Sequence, residues 1–147
     1  MVLKNRARLL LVALLSGLLI GVTGTVAAAV VASSNWANVG TFDNVQHSHR
    51  SAIENPPKRA TGTARAATVI GAGRLGVNAW VLNSSTAVCA SSGVVYSSYA
   101  TAAFSASTTS GNCGTGNHRA SGISYHYNGA TGSYASFQII FSPYQAW

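Results

Sequence analysis

Carboxylates are almost missing from this chain. Among 147 residues there are two acidic side chains, Asp43 and Glu54, against nine Lys and Arg, and charged residues make up only 7%. Both acids precede residue 55, so the C-terminal part carries none. Paired carboxylates for general acid–base work or glycoside cleavage are therefore excluded there. A Ser–His–Asp triad would have to borrow Asp43 or Glu54, and no G-x-S-x-G elbow is present. Cysteine is limited to Cys89 and Cys113, too far apart and without a C-x-x-C pair to be spaced as metal ligands. Cations are few in the C-terminal part, where only Arg74 and Arg119 occur. Nucleic acid is not an expected target.

One motif points to a cofactor and fails on its context. "TVIGAGRLG" at 68–76 has the form G-x-G-x-x-G. A dinucleotide fold needs a helix after the glycines and an acidic residue about 20 positions on. The following segment is β-branched, serine-rich and alternating, and no acid follows. The stretch reads as a glycine-rich bend at or near the first strand of a β domain. No cofactor, metal or catalytic residue is assigned.

What the chain does have begins with an address. Lys4, Arg6 and Arg8 precede an apolar run from Leu9 to about Val22. Small-residue cleavage sites follow at Ala27-x-Ala29 and Val30-x-Ala32, completing a secretory signal over 1–32. Cleavage is expected near Ala29 or Ala32. The alternative is an uncleaved anchor, since the uncharged run Leu9–Ala32 is long enough to span a bilayer. Either way the rest of the chain is expected outside the membrane, and the composition with the signal suggests a bacterial source. In an oxidising compartment Cys89 and Cys113 are expected to pair. The mean hydropathy of +0.24 is inflated by the signal. Loss of Lys4, Arg6 and Arg8 leaves six basic groups against two acidic, a net charge of +4 instead of +7.

Residues 33–67 differ from the rest. They hold both acids, His47 and His49, Pro56-Pro57 and the basic residues Arg50, Lys58, Arg59 and Arg65. No apolar period persists, so the segment reads as a flexible leader or pro-segment. Lys58-Arg59 is a candidate protease site, and the cations a candidate contact for anionic lipid or wall polymers. His47 and His49 would share a face of an extended strand, but no third ligand is in view.

Residues 68–147 alternate with period two, the signature of half-buried antiparallel strands. Val77, Ala79 and Val81 oppose Asn78, Trp80 and Leu82; Ala102, Phe104 and Ala106 form a second series. Ile123, Tyr125 and Tyr127 alternate with Ser124, His126 and Asn128, and Phe137, Ile139 and Phe141 are expected in the core. Asn128-Gly129 with Gly132 between aromatic runs signals a hairpin. The expected fold is all-β: a small antiparallel sandwich or barrel with one disulfide, preceded by a signal peptide and a flexible leader. His118 and His126 read as surface or turn residues. Trp147 is expected to dock its indole into the fold or an interface. Six tyrosines in so small a domain cannot all be buried, and exposed ones can stack on sugars or sit at a membrane interface.

"YSSYATAAFSASTTSGN" at 96–112, Arg119-Ala120 before an aromatic strand, and "ASF" at 135–137 before Trp147 resemble the lactococcin 972 family. These are small secreted β-sheet bacteriocins made with signal peptides and directed at cell-wall precursor. The resemblance covers about a third of the chain. It implies an antibacterial protein acting on a target envelope, and it transfers no residue role. The histidines that follow the Y-S-x-Y stretch in that family are not found here, and the cysteine pair and longer leader are additional.

The functional expectation is a secreted or surface-associated, non-enzymatic β domain that binds at the cell envelope or another extracellular surface. A secreted bacteriocin-like protein is the first alternative and a secreted hydrolase the second. The expected partner is a cell-wall or anionic envelope component, or an extracellular protein. Membrane contact would come only through an uncleaved signal anchor. The candidate binding residues are Arg74, Tyr96, Tyr99, Arg119, Tyr125 and Tyr127.

Overall fold

A computed structural model describes residues 29–109 and 111–147. The signal segment falls almost wholly outside the described residues, as does the anchor alternative. Among the described residues no helix is long and apolar enough to cross a membrane.

The fold is all-β, with two antiparallel sheets. The first contains β1 (Val30–Ser33), β2 (Ala37–Phe42), β3 (Val45–Asn55), β4 (Arg59–Ile70) and β8 (Thr101–Thr109). β1 and β2 both pair with β3 and together form a split edge; the order runs on through β4 to β8. The second contains β5 (Leu75–Leu82), β6 (Val88–Ser91), β7 (Val95–Tyr96), β9 (Asn117–Asn128), β10 (Ser133–Ile139) and β11 (Gln145–Ala146). Here β5 and β9 are central, with β6 and β7 beyond β5 and β10 and β11 beyond β9. No strand pairing joins the sheets among the described residues, which makes the architecture a sandwich rather than a barrel.

The flexible leader expected over 33–67 is not found. That segment runs through β1 to β4 and builds most of the first sheet. β3 turns His47, His49, Ser51 and Ile53 inward, and β4 alternates small inward residues with larger outward ones. Ala60, Gly62, Ala64 and Ala66 turn inward, while Arg59, Thr61, Thr63 and Arg65 turn outward. Pro56-Pro57-Lys58 is the tip of the β3–β4 hairpin, and Arg59 is paired to Glu54 at 2.8 Å across it. Among the described residues the compact unit therefore takes in the strands from Val30 onward and not only residues 68–147.

Small inward residues let the sheets approach. A Cβ placed on Gly62 would sit 2.7 Å from Val77 Cγ1 and 3.0 Å from Ile139 Cδ1. Around it lies one core cluster of Ala64, Leu75, Val77, Ala79, Ala106 and Ile139. A second, of Ile53, Ala60, Val81 and Ala120, packs against Trp147 and the Cys89–Cys113 disulfide. Trp147 stacks on His118 with ring centroids 4.7 Å apart, in line with the docking expected of it.

The glycine-rich 71–76 stretch is a turn between β4 and β5, hence between the sheets. Arg74 N–H donates to Gly71 O, and Gly73 takes φ +76°, the arrangement of a type II turn. The bend is real, but it follows the fourth strand and not the first. The hairpin at 128–133 forms as expected, with Gly132 at φ +65°.

Candidate functional site

The alternation of β9 is as read, and its phase puts the aromatic side outward. Ser124 and His126 face the core, while Tyr125 and Tyr127 stand on the outer face of the second sheet. Tyr134 of β10 is in register with Tyr127, and their rings meet at 5.4 Å. Tyr96 of β7 pairs with Gly76, which lies between it and Tyr125. Any side chain at Gly76 would run into the Tyr96 ring, since a Cβ there would fall 2.5 Å from Tyr96 Cδ1. With no side chain in the way, Tyr96 lies across the sheet and reaches Tyr125 at 5.8 Å and Tyr134 at 4.8 Å. The result is a continuous cluster of four tyrosines from three strands.

Arg74 closes one end. Its guanidinium lies 5.2 Å from the Tyr127 ring centroid, and its Nη1 donates to Asp43 Oδ2 at 3.1 Å. Asp43 comes from the other sheet. Asp43 and Asn44 both take positive φ in the two-residue β2–β3 turn, the geometry of a type I′ hairpin. The Asp43 carboxylate also accepts from Gly129 N–H at 3.0 Å, tying that turn to the β9–β10 turn. The Tyr134 hydroxyl donates to Gly73 O at 2.6 Å. Partial desolvation, then the neighbouring Tyr96 and Tyr127 hydroxyls, raise the Tyr134 pKa above its ordinary value. A cavity of about 290 Å³ beside Arg74 and Tyr127 extends the site toward Phe42 and His47. Tilted and edge-on tyrosine rings beside a fixed guanidinium–carboxylate pair offer apolar ring surface and directional hydrogen bonds, a combination that suits sugar rings or aromatic groups.

Arg74, Tyr96, Tyr125 and Tyr127 are thus brought together. Tyr99 is not: it is 62% exposed in the β7–β8 connection and makes none of these ring contacts. Arg119 is not either. It lies at the far end of β9, where its guanidinium sits 3.8 Å from the Phe141 ring centroid and 4.9 Å from that of Tyr144. Phe141, expected in the core, is 42% exposed beneath that cation. Tyr134, not among the residues the sequence singles out, joins the cluster, and its place one hairpin turn from Tyr127 is a usable signal.

The histidines are a second correction. His118 and His126 are buried rather than at the surface, as are His47 and His49. His47 Nδ1 and His126 Nδ1 share a hydrogen bond of 2.8 Å, one ring donating and the other accepting. His49 Nδ1 meets Ser124 Oγ at 2.8 Å, and His126 Nε2 meets the same oxygen at 3.1 Å. Phe42 stacks on His126 and Phe137 meets it edge-on. Burial, reinforced by the neighbouring His47 and His49, lowers the His126 pKa to about 3. Burial also lowers those of His47, against a weaker raising pull from Asp43, and His49. The imidazoles of His47, His49 and His126 are neutral interior hydrogen-bonding groups. Ser124 and its two histidines have nucleophile-like spacing, but Ser124 and His126 have no exposed surface, and the described residues form no group of three or more potential metal ligands.

No protein-family model, curated protein or solved structure matches this chain.

Proposed function

We propose that this chain is an exported, non-enzymatic β domain that binds a glycan of the cell envelope or extracellular surface through the outer face of its second sheet. The observation that carries the reading is the four-tyrosine cluster of Tyr96, Tyr125, Tyr127 and Tyr134, edged by Arg74 and Asp43. Aromatic faces left open on a rigid sheet pack on the C–H faces of sugar rings and lose little side-chain entropy in doing so. The guanidinium and carboxylate at the edge orient the ring hydroxyls. Asn78 and Gln138 lie on the same outer face, within reach of a chain of linked sugars.

The test is a titration with soluble fragments of cell-wall glycan, followed through the tyrosine ring resonances. Shifts confined to Tyr96, Tyr125, Tyr127 and Tyr134, and absent in Tyr134→Ser, support the reading. Tyrosine resonances that stay unmoved at saturating fragment concentration contradict it.

A further inference from the structure

The opposite face of the sandwich carries a feature that the glycan reading does not use. Trp36, in the gap between β1 and β2, is flanked by two guanidiniums. Arg50 Cζ lies 4.6 Å from its ring centroid and Arg65 Cζ 4.1 Å. Register explains the convergence. Arg65 pairs with Ser48, one outward position along β3 from Arg50, so the two arginines are diagonal neighbours on the outer face of the first sheet. Trp36 precedes Ala37, which pairs with His49 beside Arg50.

Neither arginine has an acidic side chain to pair with. The only two in the chain, Asp43 and Glu54, are engaged by Arg74 and Arg59. Beside Trp36 and Arg65 is a cleft of about 510 Å³ to which Asn38, Gln46 and Ser48 contribute neutral polar side chains. We propose that this cleft is a binding site for a phosphate group carried on a polyol or sugar.

Three observations select that class. Arg65 lines the cleft and Arg50 stands beside it on the Trp36 ring, outside the lining, so an anion seated on Arg65 has a second cation nearby, and doubly charged phosphate gains more from that pair than a singly charged carboxylate. Contact with the Trp36 ring holds both guanidiniums in place before the anion arrives. The amides and hydroxyl around them suit the hydroxyls of the carrier. A lipid headgroup has the same anion, but beyond the cleft's own Trp36, Ala66, Ala67 and Ala102 the neighbouring sheet face is hydroxylated and gives an acyl layer little to enter. Its outward residues include Thr61, Thr63, Ser105 and Ser107, with Thr61–Ser107 and Thr63–Ser105 hydroxyl pairs at 2.7 and 2.8 Å. The proposal is independent of the tyrosine face, because the two sites lie on opposite outer faces of the sandwich.

The experiment titrates the purified, oxidised protein at low salt with glycerol 3-phosphate, acetate and glycerol, and separately with phosphatidylglycerol vesicles. The readouts are the Trp36 indole and the Arg50 and Arg65 Nε–H resonances. Glycerol 3-phosphate is expected to move all three, with acetate and glycerol leaving them in place. Affinity should fall at least tenfold in Arg50→Gln/Arg65→Gln and fall less in Arg65→Lys. Both arginines are exposed and outside the core clusters, and an unchanged melting temperature checks the fold of each variant. Resonances that do not move, equal response to acetate, or undiminished binding by the double glutamine variant would overturn the proposal. Tighter binding to vesicles than to glycerol 3-phosphate per accessible phosphate would overturn it in favour of a membrane surface.

Discussion

Lowering the pH from 7 to 5 should destabilise this protein well before its two carboxylates can account for the loss. His126 is fully buried between Phe42, Phe137 and His47, and its folded-state pKa is pushed to about 3 from an ordinary value of 6.5. The unfolded chain therefore takes up a proton that the folded chain refuses. Stability is complete above pH 6.5 and declines as the pH falls below it, by up to about 1.4 kcal/mol per pH unit for each such group. For His126 alone, integration between pH 7 and pH 5 gives about 2 kcal/mol. His47 and His49 are shifted in the same direction and steepen the fall. Urea unfolding of the oxidised protein at pH 7, 6 and 5 measures this directly. The midpoint should move to lower urea at each step with little change in slope. A midpoint that stays constant over this range would refute the buried, neutral state of the histidines, and with it the packing of β3 against β9.

Three further outcomes follow from the packing. Gly62→Ala forces a methyl against Val77 and Ile139 and should cost about 1–3 kcal/mol, read as a melting temperature lower by roughly 5 °C; an unchanged melt would mean the sheets are further apart at that point. Reducing Cys89–Cys113, whose cysteines are 24 residues apart, should cost on the order of 3 kcal/mol by the loop-entropy model, seen by comparing urea midpoints with and without reductant. A chain starting at Thr68 loses β1 to β3, most of β4 and the core side chains of Ile53, Ala60 and Ala64, so it should show no cooperative melt by circular dichroism; a sharp melt would restore residues 33–67 to the status of a dispensable leader.

The C-terminal strands were legible in the sequence because Val77, Ala79 and Val81, or Phe104 and Ala106, alternate large apolar with polar or small neighbours. β3 and β4 were not, because their inward positions hold His47, His49, Ser51, Ala60, Gly62 and Ala64. His47, His49 and Ser51 are polar, and Ala60, Gly62 and Ala64 are too small to mark a buried face and read as linker composition beside Pro56-Pro57. What makes them interior is the closeness of the opposing sheet, a property of the pair of sheets and not of either strand. β9 shows a second limit. Period two reveals that Tyr125 and Tyr127 share a face but not which face is buried, and here the histidine and serine side is the inner one. The site was half legible for the same reason. Arg74, Tyr96, Tyr125 and Tyr127 meet because β5, β7 and β9 are neighbours at one end of a sheet. Arg119 shares the outward face of β9 but lies seven residues from His126, roughly 23 Å along the strand. The Trp36–Arg50–Arg65 cluster depends on the β3–β4 register, and a segment with no persistent apolar period carries no signal of that register.

The central claim is that the tyrosine face of the second sheet makes the functional contact. The direct measurement is co-sedimentation of the oxidised protein, and of its Tyr96→Ser/Tyr134→Ser variant, with isolated bacterial cell walls across a salt series. The account predicts binding that persists at high salt, since stacking on sugar rings is not screened, and that is lost in the variant. Binding that disappears with modest salt, or that the variant retains in full, would contradict it.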